Sequence, residues 1–226
     1  MRLGYSSRLL VAPLFNNASQ LSSSVAMSTQ RVLSIQSHTV HGFVGNKAAA
    51  FPLQCLGFNV DAINTVSLSN HPDYAGGCKG KSLSPGDVLA IVDGLDANNL
   101  LKYDLIITGY TNSLAIASET VTAVKRVIAS NPRAIFVLDP VLGDDGKFYV
   151  PAELKDHFKI NLLPLAFAIT PNHFEVEKTR LARAFYFTDN VLWNSTMTIN
   201  KSPRTLSGLY ASNSYEQMVT ACIFKS

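Results

Sequence analysis

Short apolar runs alternate with longer amphipathic segments over residues 31–177 of the chain. Buried strands are predicted at the apolar runs, which are Arg31–Ser37, Asn59–Ser69, Leu105–Tyr110, Ala134–Asp139 and Leu165–Thr170. Helices are predicted between them, at Gly45–Leu56, Ser84–Leu101 and Ser113–Ser130. Strands that alternate with helices indicate an α/β fold with a doubly wound, mostly parallel sheet flanked by helices.

Turn and cap residues set the ends of these helices. Because proline removes an amide donor, Pro52 is expected to kink the first helix. Ser84, with Pro85 after it, is predicted to cap the second helix, and Asn131-Pro132 is predicted to end the third.

The two ends of the chain differ from residues 31–177. Residues 1–30 contain seven Ser, two Arg and no acidic residue, which is typical of an organelle transit peptide. A disordered leader, or translation that starts at Met27, would give the same composition. Residues 178–226 show no sustained period and are predicted not to continue the fold. The expected organisation is a leader (1–30), an α/β part (31–177) and a divergent tail (178–226).

Charge and cysteine content exclude several functions. Residues 31–177 hold 11 basic and 14 acidic residues, so this part carries a net charge of −3, which does not favour nucleic-acid binding. The chain has no apolar run of membrane-spanning length. Its three cysteines form no metal or redox motif, so a reduced intracellular setting is expected. We expect a cytoplasmic protein, or a mitochondrial or plastid one if residues 1–30 are a transit peptide.

Carboxylates follow two of the predicted strands. Asp139 and Asp144 come after one strand, and Asn172 and Glu175 come after the next. Because parallel strands bind ligands at their carboxyl ends, these groups are expected to share one crevice. Carboxylate oxygens suit hard cations and polyphosphates, which indicates a small-molecule kinase site. Asp139 could instead cap a turn, and Asn172 with Glu175 could cap a helix start.

Three weaker patterns keep ordinary explanations. Ala75–Ser82 (AGGCKGKS) fits a relaxed phosphate-loop pattern but does not join a strand to a helix, so a flexible flap is favoured over a nucleotide switch. His38, His41 and His71 are favoured as solvated loop residues over metal ligands or bases. Gly42–Asn46 could allow a close ligand approach or form an ordinary turn.

Several stretches together resemble one enzyme family. They are RVLSIQSHTVHGFVGNKAAAFPLQCLGF, SNH, LIITGY, LDPVLGDDGKFYVP and ITPNHFEVE. Residues 31–177 thereby resemble the N-terminal half of pyridoxal kinase, of the ribokinase-like superfamily, truncated on the C-terminal side. The resemblance implies ATP-dependent phosphorylation of the 5′-hydroxyl of pyridoxal, pyridoxine and pyridoxamine in vitamin B6 salvage. It also implies Mg²⁺, a monovalent cation (K⁺ or Na⁺) and a homodimer.

The resemblance also implies roles for particular residues. Ser37 would hydrogen-bond the pyridine ring, and Tyr149 would belong to a flap over the site. The vitamer pocket would be walled by Val44, Val66, Leu68 and Tyr110. The metal ions and ATP phosphates would be arranged by Asp139, Asp144, Thr170, Asn172 and Glu175, of which Asp139, Asp144 and Glu175 would be the metal ligands.

The sequence also departs from the family pattern. Pro72-Asp73 follows Ser-Asn-His, Gly76-Gly77-Cys78 stands where an aromatic is common, and His173 replaces the usual Gln. The Gly-x-Gly-Asp motif that carries the family's catalytic Asp is absent from the sequence, so no catalytic residue is assigned. We therefore expect a chain that is inactive alone, and that at most binds vitamer or pairs with a full-length subunit.

Overall fold

The alternating pattern folds into a seven-stranded sheet. The computed structural model describes residues 30–144 and 146–179, together with the strand Val191–Leu192. In that part of the chain the strands are β1 (Arg31–Thr39), β2 (Asn59–Leu68), β3 (Gly80–Ser82), β4 (Leu105–Thr108), β5 (Ile135–Leu138), β6 (Gly143–Asp144), β7 (Lys147–Phe148), β8 (Ala168–Ile169) and β9 (Val191–Leu192). The sheet has the order β3-β2-β1-β4-β5-β8-β9, and β6 and β7 form a separate hairpin. Within the sheet, β3 is antiparallel to β2 and the other pairings are parallel.

Helices connect the parallel strands. They are α1 (Asn46–Cys55), α2 (Asp87–Ala97), α3 (Leu114–Ser130), α4 (Glu153–His157) and α5 (His173–Thr179). The chain continues from α4 into a π-helical turn, Phe158–Leu162, and a 3₁₀ turn, Leu163–Leu165. Pro52 lies inside α1, and the Ser113 hydroxyl caps α3 by accepting from the Ile116 amide at 3.3 Å. Across the described residues, no helix combines the length and apolar character needed to cross a bilayer.

Side chains of the strands alternate between two apolar cores, because successive residues of a strand point to opposite faces. Leu33 packs on one face with Val92 of α2 and Val124 of α3. Val32 packs on the other face with Leu53 of α1. Helices therefore cover both faces, and the predicted doubly wound, mostly parallel α/β fold is confirmed.

The start of α2 differs from the prediction. Ser84 does not cap this helix, because Gly86, at φ +97°, is the residue that precedes its first turn. The cap comes from α3, where the Glu119 carboxylate accepts from the amides of Gly86 at 2.5 Å and Val88 at 3.2 Å. A carboxylate at a helix N-terminus satisfies free amides and favours the helix dipole.

Other predicted elements differ from the structure as well. The strand predicted at Leu165–Thr170 contains only Ala168–Ile169, because the preceding residues, including Pro164, form the 3₁₀ turn. The second helix ends at Ala97 rather than Leu101. The helical segment that starts at Glu153 was not predicted at all.

The strand β9 was also not expected. It pairs in parallel with β8, with Ala168 opposite Val191, although it lies in the segment predicted not to continue the fold. The predicted leader, residues 1–30, lies outside the described residues except for Gln30. The rest of the predicted tail, residues 180–190 and 193–226, lies outside them as well.

Candidate functional site

The carboxyl ends of β1 and β2 meet at a bulge. Gln36 pairs with Asn64, whereas His38 pairs with Ser67, so β2 has one extra residue opposite Ser37. A bulge of this kind bends a strand and changes the direction of its side chains, and it is common next to active sites. Two predicted pocket residues, Ser37 and Val66, lie at this bulge.

Gly45 makes a close contact with Ser37 just above the bulge. It has φ +51°, and a Cβ built on it would lie 2.2 Å from the Ser37 carbonyl oxygen and 2.5 Å from Ser37 Oγ. Only glycine fits this backbone conformation and this space. Gly45 thus allows a close approach to Ser37, and the ligand approach expected for Gly42–Asn46 stays a prediction.

Asn46 holds the two strands together before the bulge. Its Nδ2 donates to the carbonyl oxygens of Gln36 at 3.2 Å and Ile63 at 2.9 Å, and to Asn64 Oδ1 at 2.8 Å. Asn46 is buried. Sequence reasoning missed it, although a polar residue directly after a glycine turn at a helix start was an available signal.

Tyr110 lies beyond β4, the neighbour of β1 on the other side. Burial raises the pKa of its phenol, and nearby Cys78 raises it further. The Thr65 hydroxyl donates to the Tyr110 carbonyl oxygen at 2.7 Å. The structure thus brings Ser37, Val66 and Tyr110 to one edge of the sheet, with Thr65 as a further residue that the sequence did not reveal.

The remaining predicted pocket residues lie at the same edge. Val44 directly precedes Gly45 in the β1–α1 connection, and Leu68 is the last residue of β2, paired with Thr39. Both are partly buried.

The acidic residues follow β5 and β8 along the same edge. Asp139 is buried directly after β5, and its amide donates to the Thr108 carbonyl oxygen at 2.9 Å. Asp144 is exposed in β6. Thr170 follows β8, and its amide donates to the Leu138 carbonyl oxygen at 3.0 Å. The two predicted strand ends are therefore neighbours, as expected.

Glu175 and Asn172 cap the start of α5. Glu175 Oε2 accepts from the Asn172 amide at 2.8 Å, and Asn172 Oδ1 accepts from the Glu175 amide at 2.9 Å. Glu175 Oε1 accepts from the Leu142 amide at 2.9 Å, and Asn172 Nδ2 donates to the Gly143 carbonyl oxygen at 2.8 Å. This reciprocal pair is a capping box that also fixes the loop after β5.

Burial dominates the electrostatics of Glu175. Glu175 is only 3% exposed, and this burial raises the pKa of its carboxyl from 4.5 to about 7. The backbone amides of Leu142, Asn172 and Gly143 oppose this rise, and the charge of Asp144 adds to it. Glu175 therefore exchanges its proton near neutral pH.

The metal role expected for Asp139, Asp144 and Glu175 stays a prediction. Among the described residues, no group of three or more His, Cys, Asp or Glu side chains is arranged to hold a metal ion. The reason is visible at Glu175, whose two oxygens accept from backbone amides. The hydrogen bonds between Asn172 and Glu175 are those of the capping alternative.

Tyr149 lies beside this acidic edge. It is exposed just after β7, and its amide donates to the Leu142 carbonyl oxygen at 2.9 Å. The β6–β7 hairpin is attached to α5 by an edge-to-face contact of Phe148 with Phe174, at 5.1 Å between ring centroids. An exposed aromatic on a two-stranded hairpin is compatible with the predicted flap.

Two of the weaker sequence patterns, Ala75–Ser82 and the three histidines, have ordinary structural explanations. Ala75–Ser82 ends in β3 rather than leading into a helix, so it is not a phosphate loop. His41 is exposed against Tyr74, and His71 Nδ1 lies 3.3 Å from Asp73 Oδ2 on the surface. His38 belongs to β1 and not to a loop.

The chain is similar to pyridoxal kinases in sequence and in structure. It is 46% identical over 158 residues to the pyridoxal kinase of Arabidopsis thaliana, covering 70% of this chain and 51% of that protein. It is 48% identical over 151 residues to the pyridoxal kinase of Homo sapiens, covering 65% of this chain and 48% of that protein. The solved pyridoxal kinase from Leishmania donovani in complex with ADP and pyridoxamine has a TM-score of 0.63 at 44% identity, covering 66% of this chain and 52% of that chain.

These similarities concern part of each protein. The chain spans about half the length of the curated relatives that it matches. No protein-family model matches the chain. The resemblance expected from the sequence is confirmed for about two thirds of this chain.

Proposed function

We propose that this chain, which matches pyridoxal kinases over about two thirds of its length, binds pyridoxal-type vitamers and ATP at the carboxyl edge of its sheet. The order of the strands carries this proposal. Ser37, Val66 and Tyr110 lie at the ends of β1, β2 and β4, and the carboxylates lie at β5 and beyond, next to β4. A ring pocket beside a phosphate-binding edge is what transfer of a phosphoryl group to a vitamer requires.

Ser37 and Tyr110 would bind the vitamer. The Ser37 hydroxyl would hydrogen-bond the pyridine ring, and Gly45 keeps that serine in one position through their close contact. Val66, which is almost fully buried, and Tyr110 would exclude water from the ring. The Leishmania donovani relative binds pyridoxamine in its solved complex, which supports this class of ligand.

The acidic edge would face the nucleotide. The Leishmania donovani relative also holds ADP, which supports ATP as the co-substrate. Mg²⁺ is usually bound by one or two carboxylates together with phosphate oxygens and water. Asp139 and Asp144 fit that pattern, because Glu175 is already bonded to backbone amides and would act through the position of the loop it caps. Such an ion would neutralise phosphate charge during transfer, and Thr170 would be near the proposed monovalent cation.

Vitamer binding by the full chain tests this function. We expect saturable binding of pyridoxal in equilibrium dialysis, and about fivefold weaker binding after Ser37→Ala, because one hydrogen bond is lost. Ser118→Ala is the matched control, since the hydroxyl of Ser118, an exposed residue of α3, donates to the Leu114 carbonyl oxygen. Absence of saturable binding by the unmodified chain would contradict the proposal.

Nucleotide binding is tested separately. ADP with Mg²⁺ is expected to bind the chain, and Asp139→Asn is expected to weaken that binding more than the binding of ADP without Mg²⁺. Equal losses with and without the ion would show that Asp139 does not serve the metal.

We propose further that this chain alone does not transfer phosphate at the rate of a full-length kinase. The sequence contains no Gly-x-Gly-Asp motif, and loss of a general base costs about 10²–10⁴-fold in rate. Purified chain is expected to form no measurable pyridoxal 5′-phosphate from ATP and pyridoxal. Turnover near that of a full-length kinase would refute this second proposal while leaving vitamer binding intact.

Pairing and location are part of the same proposal. The chain would form a homodimer or pair with a full-length subunit, which sedimentation of the chain with and without that subunit measures. It would be cytoplasmic, or mitochondrial or plastid if residues 1–30 direct import. A fluorescent fusion, compared with a variant that starts at Met27, distinguishes these locations.

A further inference from the structure

The segment of residues 109–113, called here the Tyr110 loop, borders a small cavity, although Tyr110 itself packs against the core. A small cavity, large enough for about one water molecule, lies under its first residues. Thr65, Gly109 and Thr111 line this cavity, together with Thr120 of α3 and Phe158 of the π-helical turn. Because side chains do not fill this space, packing supports the loop less on the side of the cavity, and hydrogen bonds contribute to its position.

Hydrogen bonds must therefore hold the Tyr110 loop. At its start, the Gly109 amide donates to the Ile35 carbonyl oxygen at 3.1 Å. Farther along, Asn112 Nδ2 donates to Ser82 Oγ at 2.7 Å, but this contact is exposed to solvent. The bond to Tyr110 itself comes from Thr65, whose hydroxyl donates to the Tyr110 carbonyl oxygen at 2.7 Å.

Thr65 reaches the loop because of the bulge. The extra residue in β2 places both Thr65 and Val66 opposite Ser37, so the side chain of Thr65 extends over β1 toward β4. Thr65 is only 1% exposed, so water does not compete strongly for its hydroxyl. One distortion of the sheet thus presents Ser37 and Val66 and also holds Tyr110.

We propose that Thr65 is a positioning residue of the vitamer site, whose hydroxyl fixes the Tyr110 loop above the cavity so that the Tyr110 ring is held against the ligand. This inference rests on the proposed function, because Tyr110 is taken as a wall of the vitamer pocket. Thr65 itself does not contact the ligand. Its effect passes through the carbonyl group of Tyr110.

Three variants of the full chain test the proposal. Thr65→Val keeps the shape and removes the hydroxyl, and Thr65→Ser keeps the hydroxyl. Thr120→Val is the matched control, because the Thr120 hydroxyl donates to a carbonyl oxygen, that of Ile116, at 2.8 Å and is buried beside the same cavity. Thr65→Ala replaces Thr65→Val if valine prevents folding.

We expect Thr65→Val to weaken pyridoxal binding by about five- to tenfold, the change that one lost buried hydrogen bond produces. Thr65→Ser should bind within about twofold of the unmodified chain, and so should Thr120→Val. An unchanged affinity in Thr65→Val would overturn the proposal. Equal losses in Thr65→Val and Thr65→Ser would overturn it as well, since shape rather than the hydroxyl would then be responsible.

Hydrogen exchange of residues 109–113 gives a second readout that needs no ligand. Thr65→Val should speed amide exchange in the Tyr110 loop by about fivefold, while Thr120→Val should leave that exchange unchanged. If the unmodified chain does not bind pyridoxal, the proposed function fails, and exchange still decides whether Thr65 holds the loop. Faster exchange with unchanged affinity would show that the bond is structural only, which rejects the positioning role.

Discussion

Replacement of Gly45 by alanine tests whether the close contact with Ser37 organises the candidate site. A Cβ at this position would lie 2.2 Å from the Ser37 carbonyl oxygen and 2.5 Å from Ser37 Oγ. Backbone atoms cannot withdraw as a flexible side chain can, so α1 or the end of β1 must shift. The positive φ of +51° adds a cost of about 1–2 kcal/mol for any residue with a Cβ. Together we expect a loss of about 3–5 kcal/mol in the free energy of unfolding.

Gly42→Ala separates the cost of backbone strain from the cost of the contact with Ser37. Gly42 also has a positive φ, of +90°, but a Cβ there would meet nothing within 4 Å. We expect this variant to lose about 1–2 kcal/mol, from backbone strain alone. Urea denaturation of both variants measures the difference, and pyridoxal affinity, measured below the unfolding transition, should fall for Gly45→Ala only. If Gly45→Ala is as mild as Gly42→Ala in both measurements, the contact with Ser37 does not organise the site.

Two further predictions concern Asn46 and Glu175. Asn46→Ala removes three hydrogen bonds at the bulge, so it should lower the free energy of unfolding by about 2–3 kcal/mol and weaken pyridoxal binding. Asn131→Ala is the control, because it removes bonds to Tyr103 and Asp104 at the opposite edge of the sheet. It should cost about 1 kcal/mol in urea denaturation and leave pyridoxal binding unchanged. Loss of binding in both variants would instead indicate a general effect of stability. Because burial raises the pKa of Glu175 from 4.5 to about 7, the folded chain binds its proton more tightly than the unfolded chain, so the free energy of unfolding should fall by about 3 kcal/mol as pH rises from about 4.5 to about 7. Urea denaturation at several pH values measures this pH dependence. Glu175→Gln should remove it, and Glu177→Gln, which changes an exposed carboxylate on the same helix, should keep it. If the pH dependence survives Glu175→Gln, another group is responsible for it.

The strands of the fold were predictable because their apolar runs are local and continuous. β1 and β4 pair over residues that the hydrophobic pattern already marks, and the position of the carboxylates at strand ends follows from parallel topology. The cap of α2 could not be predicted in this way. Glu119 contacts Gly86 from a helix that begins 28 residues later, so no residue spacing near Ser84 predicts this cap.

The location of the candidate site was predictable, but the residues that position its side chains were not. Ser37 and Tyr110 were named from a resemblance, and both lie at the expected edge. Thr65 was not named, because the bulge at which it lies depends on the register between β1 and β2. The sequence carries neither glycine nor proline at that point. Glu175 was named as a metal ligand, which stays a prediction, and its bonds to the amides of Leu142 and Asn172 were not foreseen in that role.

The two parts of the proposed site are each held by contacts inside the described residues. Ser37 and Tyr110 are positioned by Gly45 and Thr65, and these contacts lie within residues 37–110. The acidic edge is positioned by Asn172 and Glu175, within residues 139–175. A preformed site loses little entropy when it binds, so the proposed vitamer and nucleotide affinity is expected to depend on these contacts. Under the proposed function, we expect pyridoxal affinity close to that of a full-length kinase, together with slower phosphoryl transfer because the sequence contains no Gly-x-Gly-Asp motif.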